Sequence, residues 1–458
     1  MLVFISDLHF VDGTAGEHNP PAKAFEYFFD DLISIAGKES NQIKEIKIVL
    51  LGDVFDLLRT EKWFAFDANE RPWGYNEAAI EQNALDIFQA ITSHPENRKT
   101  FQLIRDQLAA LKARCESVPQ CRLESDPRLI YIPGNHDRLV NDYSSLRVEV
   151  CKCLGIPRDQ HNPADPFPHV YGIDLLGDRR YGVFARHGHE FDTFNYEGGD
   201  SFGEVDYLRV PIGDPITTEL VAGLPYTLRK NLKENAGSIW PGLSDEEIDA
   251  QIAKVNRNFQ EIENVRPLSA VIEWLLYQVQ QNRWLKEVIE DTVSEVVNNF
   301  EALDFVKLWY GRHDKWTDWR DDADKIQAAL FLLRNFKLYR TEKLWELLIK
   351  AKDYFVKDDL LEAAPQEYLH LSPDIRYVVY GHTHDPLVVP LRTVPSAPAP
   401  LQQVYLNTGT WRGRHWKATQ DNSFISWKNM TYLIFYREDE RKERQADFET
   451  WTGALKTV

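Results

Sequence analysis

The chain has 458 residues, 43% of them hydrophobic and 27% charged, which reads as a soluble, globular protein with ample apolar material for a core, long enough for one core plus a large insertion. No apolar stretch approaches the length that spans a bilayer. The formal net charge of −18 at pH 7 repels polyanions and so disfavours nucleic acid as a substrate.

Residues 2–6 form a short apolar run that reads as a first core strand. No basic leader or small-residue cleavage site accompanies it, so a cytoplasmic protein is expected. Residues 24–35 carry Phe25, Phe28, Phe29, Leu32 and Ile33 at helical spacing. Residues 46–51 are β-branched and apolar and end at Gly52-Asp53, which completes a β-α-β unit. A second crossover reads as a helix over 101–115 and a strand over 129–132, ending at Gly134-Asn135-His136. From Val170 the pattern changes to a hairpin around Gly177-Asp178, whose second strand delivers His187. The cysteines (Cys115, Cys121, Cys151 and Cys153) have no zinc or disulfide spacing and are expected as reduced, mostly buried thiols.

Residues 198–372 read as mainly helical. Ser244 to Glu247 has capping-box form, and Ile248, Ile252, Val255, Phe259 and Ile262 then recur on one face. A second amphipathic segment carries Leu285, Val288, Ile289, Val293, Val296 and Phe300. Seven of the 13 tryptophans lie in this insertion, at 240, 274, 284, 309, 316, 319 and 345. They suit either a lid that selects bulky substrates or the core of a helical subdomain. The core resumes with a strand over 375–380, ending at Gly381-His382-Thr383-His384. After a Pro-rich loop it returns with strands over 404–407 and 430–436. The expected organisation is a core of 1–197 and 373–436, an insertion of 198–372, and a charged C-terminal tail of 437–458.

Five short motifs follow predicted strands in order: Asp7-Leu8-His9, Gly52-Asp53-Val54-Phe55-Asp56, Gly134-Asn135-His136-Asp137, His187-Gly188-His189 and Gly381-His382-Thr383-His384. Six of the 13 histidines fall in them. Open α/β sheets place their sites at the carboxyl ends of strands. Cleaving a phosphate ester at neutral pH needs a strong nucleophile and relief of phosphoryl charge. Two divalent cations roughly 3.5–4 Å apart supply both. Such a pair takes a carboxylate that spans both ions, flanked by imidazole and neutral oxygen ligands, and Asp53 is the natural bridge.

These blocks resemble the signature of the calcineurin-like metallophosphoesterase superfamily. The resemblance implies an α/β fold, a four-layer α-β-β-α sandwich, with the large helical insertion outside it. It implies one cation held by Asp7, His9, Asp53 and His384, and a second held by Asp53, Asn135, His187 and His382. Manganese is the first expectation, with iron or zinc as alternatives. A hydroxide bridging the ions would attack in line. His136 would face the substrate and protonate the leaving oxygen, with Asp137 orienting it. Asp56 would support the ligands or cap the following turn, and His189 would serve either substrate or structure. Arg138 and Arg186 stand as phosphate partners or solvated surface groups.

The Gly52 block and Asn407-Thr408-Gly409-Thr410-Trp411 are similar to those of UDP-diacylglucosamine pyrophosphatases. Those enzymes are shorter and carry arginine at the position of His136. The expected partner is a phosphorylated small-molecule or lipid-like substrate. A nuclease of the same superfamily and a non-catalytic metal-binding scaffold are the alternatives.

Overall fold

The computed structural model describes residues 1–16, 19–172, 181–202, 205–265, 268–313, 326–327, 330, 333, 359–396, 400–421, 423–441 and 447–455. These residues form a mixed α/β structure with two mixed sheets. In the first, β1 (Leu2–Ile5), β2 (Lys47–Leu51) and β3 (Arg128–Ile132) run parallel. The second contains β4 (Val170–Tyr171), β5 (Val183–Arg186), β6 (Tyr377–Tyr380), β7 (Pro386–Val394) and β8 (Leu401–Thr408), in the order β4-β5-β6-β8-β7. Its inner strands β5, β6 and β8 are parallel, and β4 and β7 are antiparallel edges. The first sheet is completed by β9 (Gly413–Lys417), β10 (Phe424–Phe435) and β11 (Phe448–Leu455). β10 pairs antiparallel with each of β1, β9 and β11.

The strands sort their side chains with period two. Leu2 and Phe4 of β1, Val49 and Leu51 of β2, and Leu433 and Phe435 of β10 share one buried cluster with Val183 and Ala185 of β5 and Tyr377 and Val379 of β6. The two sheets therefore face each other across this cluster. The alternate residues Val3, Ile5, Ile48 and Leu50 pack instead against α1 (Ala22–Ala36), α2 (Glu77–Ser93) and α3 (Pro95–Glu116). On the far face of the second sheet, Val378, Tyr380 and Tyr405 cover Leu360, Ala364 and Tyr368 of the helix Asp359–His370. That helix, counted with the insertion on sequence, thus belongs to the core.

β1, β2, β3, β5, β6 and α1 form within one or two residues of their expected bounds, whereas β8 and β10 begin earlier than expected, at Leu401 rather than 404 and at Phe424 rather than 430. Ile33 is only partly buried, and Ile35 takes its place on the inner face of α1. The hairpin forms between β4 and β5, while the Gly177-Asp178 turn lies outside the described residues. α2, β7 and β9 were not anticipated. Residues 448–455, read as charged tail, form the edge strand β11 against β10. Cys115, Cys121 and Cys151 are buried.

Among its described residues the insertion is helical. Ser244 accepts from the Glu247 amide and Glu247 reaches back to the Ser244 amide, the expected capping box. Ile252, Val255 and Phe259 of this helix, Asp245–Gln260, share a core with Ile289, Val293 and Val296 of Lys286–Ala302. Trp274 and Trp309 are buried in the insertion, and Trp284 is 56% exposed. Trp316, Trp319 and Trp345 lie outside the described residues. The insertion docks on the segment after β2: Thr218 donates to the Leu58 carbonyl at 2.9 Å, and Tyr226 stacks on Phe64 with ring centres 4.6 Å apart. No helix among the described residues is long and apolar enough to cross a membrane.

Phe28 on α1 meets the rings of Phe29, Trp411 and Tyr432 at 5.2–5.7 Å. Truncating Phe28 to alanine empties this junction of helix and sheet and should cost about 3–5 kcal/mol. Denaturant unfolding measures it, and a loss below about 1 kcal/mol would mean the junction collapses around the void.

Candidate metal centre

All five motifs meet at one end of the two sheets. Asp7 and His9 follow β1, Asp53 follows β2, Asn135 and His136 follow β3, His187 follows β5, and His382 and His384 follow β6. Backbone hydrogen bonds stitch the loops together: His9 N to Asp53 O at 2.8 Å, Leu57 N to His136 O at 3.2 Å, and Gly381 N to His187 O at 2.9 Å. Asp7, His9, Asp53, Asn135, His187 and His384 are all buried.

The backbone is held in an unusual state here. Among the described residues, the non-glycine residues at positive φ are Asp7, His9, Asp53, His382 and His384, with φ between 45° and 66°. Each is a predicted ligand. The left-handed region costs a non-glycine residue about 1–3 kcal/mol and persists only where the surroundings over-determine it. Glycine is demanded beside them by close approach. A Cβ on Gly52, itself at φ 85°, would overlap the His187 ring, and one on Gly134 would overlap the Asp53 carboxylate.

The predicted ligands group into two sets with Asp53 at their boundary. In the first, Asp7 Oδ1 lies 3.2 Å from His384 Nε2 and 3.8 Å from His9 Nε2. In the second, His187 Nε2 lies 3.2 Å from Asp53 Oδ2. That same Asp53 oxygen is 3.6 Å from His9 Nε2, so it stands between the sets. Asp7, His9 and His384 on one side, and Asp53, His187 and His382 on the other, have the spacing of groups that can hold an ion. Asn135 joins the second set through its neighbours: its Nδ2 donates to Asn195 Oδ1 at 3.1 Å.

The hydrogen bonds leave ligand lone pairs free. His187 Nδ1–H donates to the Leu51 carbonyl at 2.8 Å, and its buried Nε2 has no hydrogen-bond partner. Asp7 Oδ1 and Asn135 Oδ1 are likewise buried without one. Orphaned buried polar atoms are costly, and here they are two oxygens and an imidazole nitrogen in one cluster, the donors that manganese, iron or zinc accept. The residues fit a pair of divalent cations.

Electrostatics point the same way. Burial opposes the charge on Asp7 and Asp53, yet the neighbouring imidazoles outweigh it and hold both below the usual carboxylate range. Burial also opposes a charge on His187, but Asp53 more than offsets it and lifts the imidazole to about 10. The cluster therefore demands positive charge, and protons or cations satisfy it at the same lone pairs.

Asp56 orients His136, which corrects the expectation for Asp137. Asp56 Oδ1 accepts from His136 Nδ1 and its Oδ2 from His9 Nδ1, both at 2.9 Å. It also caps its own turn through the Arg59 amide at 3.0 Å. Asp137 instead accepts from Tyr131 Oη at 2.7 Å and from the backbone amides of Gly134 and Val54. Successive side chains diverge at the turn, so Asp137 points beneath the loop and braces it. Burial holds its pKa up at about 6.

Arg138 and Arg186 are not solvated surface groups but are buried in ion pairs. Arg138 pairs with Asp214 and Asp142, both at 2.7 Å, and Arg186 with Glu367 at 2.6 Å. His189 is buried with its ring 5.4 Å from that of His187, and burial takes its pKa down to about 3. Asn407 is structural: Nδ2 donates to Gly381 O at 2.7 Å and Oδ1 accepts from Gly409 N at 3.0 Å. Asp192 and Asn195, which touch His382 and Asn135, were missed because they sit in a turn with no motif of its own.

In comparisons with known proteins, no family model, no curated protein and no solved structure matched the chain.

Asp137→Ala strips acceptors from Tyr131 Oη and two buried amides and should lower stability by about 3 kcal/mol or more. A variant as stable as the parent in denaturant titration would count against the bracing role.

Proposed function

We propose that the chain is a dinuclear metal-dependent hydrolase of phosphate esters or anhydrides, of the calcineurin-like metallophosphoesterase type. The observation that carries this reading is the backbone strain: five predicted ligands from three strand ends, Asp7, His9, Asp53, His382 and His384, share the left-handed conformation around one buried cluster. The four-layer α-β-β-α sandwich belongs to the same proposal. It is supported by the apolar cluster between the two sheets and by helices against the outer face of each.

Asp7, His9, Asp53 and His384 would hold one cation, and Asp53, Asn135, His187 and His382 the other. Bound there, two divalent ions acidify water toward a nucleophile at neutral pH and neutralise phosphoryl oxygens. The protein's residues supply the rest. His136 gives its Nδ1–H to Asp56, which fixes the ring and leaves Nε2 to hold a proton for the leaving oxygen. The Asp53 carboxylate accepts the His136 amide at 2.9 Å, which ties the general acid to the ligand shared by both sets. Low exposure around the cluster limits competition from bulk water. The substrate class is a phosphomonoester, phosphodiester or pyrophosphate.

The test is hydrolysis of p-nitrophenyl phosphate and its bis-ester by metal-quantified protein with added manganese. Turnover that chelation abolishes is expected. Two tightly held ions without hydrolysis of any phosphate compound would favour a binding scaffold instead. His136→Ala should cut turnover by about 10²–10⁴-fold with the metal content kept; loss of metal would mean that His136 is a ligand. Asp53→Asn should impair uptake of both ions, because a neutral amide bridges cations poorly. Retention of two tightly bound ions would contradict the shared role.

A further inference from the structure

The second set of ligands is braced by a turn that belongs neither to the strand-end motifs nor to the helices of the insertion. Asp192 Oδ2 lies 2.9 Å from His382 Nε2 and accepts from Asn195 Nδ2 at 2.7 Å. Asn195 Oδ1 in turn accepts from Asn135 Nδ2 at 3.1 Å. One chain of hydrogen bonds thus runs from His382 through Asp192 and Asn195 to Asn135.

Each link of that chain has a direction that matters for cation binding. An ionised carboxylate only accepts, so Asp192 requires a proton on His382 Nε2 and leaves the lone pair on Nδ1. With its Nδ2 given to Asn195, Asn135 keeps its oxygen for another use, and that oxygen is buried with no hydrogen-bond partner. Flipping the amide would offer an NH₂ group, which cannot ligate a cation. The turn fixes one tautomer and one amide orientation at once.

The turn is itself held in place. Phe194 N donates to Asp192 Oδ1 at 2.9 Å, and Gly213 N donates to Phe194 O at 2.6 Å. A Cβ on Gly213 would collide with Asn195. The next residue, Asp214, grips Arg138 beyond His136 and Asp137. Asn195, just before the insertion, and Asp214, near its start, thus hold the two ends of the Asn135–Arg138 loop.

We infer that Asp192 and Asn195 are positioning residues for the second cation, so that the segment leading into the helical insertion completes the metal centre. The inference rests on the dinuclear reading above. Outer partners of metal ligands fix ring and amide orientation, and losing one weakens binding by about 10–100-fold.

Manganese titration of metal-free full-length protein, followed by calorimetry and by the paramagnetic resonance signal of a coupled ion pair, tests it. The parent should take up two ions. Asp192→Ala and Asn195→Ala should bind the first ion as the parent does and the second about 10–100-fold more weakly, with the coupled signal lost at stoichiometric manganese. Unchanged affinity for the second ion in both variants overturns the inference, and so does equal weakening of both ions. A parent protein that takes up fewer than two ions overturns the dinuclear reading itself, before any variant is measured.

Discussion

Three carboxylates with almost no access to water, Asp7, Asp53 and Asp56, set the terms for everything around them. A buried charge survives only when opposite charge and hydrogen bonds replace its lost hydration. The five strand ends supply these partners, and each is needed because no single loop carries enough. Asp53 shows the arrangement in one residue: Oδ1 accepts the His136 amide, while Oδ2 faces His9 and His187. The two facing sheets bring these loops to one edge, and their apolar interface holds the edge rigid.

That convergence has a cost in backbone strain, and the fold concentrates it. The clustered carboxylates and imidazoles project from the loops that follow the strands. Five of them adopt a conformation that L-residues avoid, and the glycines beside them clear space for imidazole and carboxylate. A sum of several kcal/mol stored in one cluster is tolerable only if the surrounding core is well packed. The aromatic junction of Phe25, Phe28 and Trp411 beneath β1 belongs to that packing, and Thr410, next to Trp411, donates to the Asp7 carbonyl at 2.6 Å.

Much of this was legible in the chain. β1, β2 and β6 declared themselves because both faces are buried, and β3 because Leu129, Tyr131 and Ile132 are, so each reads as a mainly apolar run ending in a polar motif. β7 and β9 did not, because β7 is a half-exposed edge strand carrying two prolines and β9 is short and polar. α2 hid behind a polar outer face, although Ile80, Ala84, Ile87, Phe88 and Ile91 mark its buried stripe. Adjacency misled at Asp137: neighbours in sequence diverge at a turn, and the carboxylate that reaches His136 comes from the loop after β2. Asp192 and Asn195 were invisible for the opposite reason, since their roles depend wholly on which ligands lie across the cleft.

β10 has a bearing on how the molecule is made. β1, at residues 2–5, is flanked by β2 on one edge and by β10, residues 424–435, on the other. During synthesis the second edge of β1 stays open until residue 435 has left the ribosome, with the insertion translated in between. An apolar strand with unsatisfied amides and carbonyls invites pairing with other nascent chains. Ribosome-bound chains halted before residue 424 would therefore carry an open β1 edge that the complete fold closes.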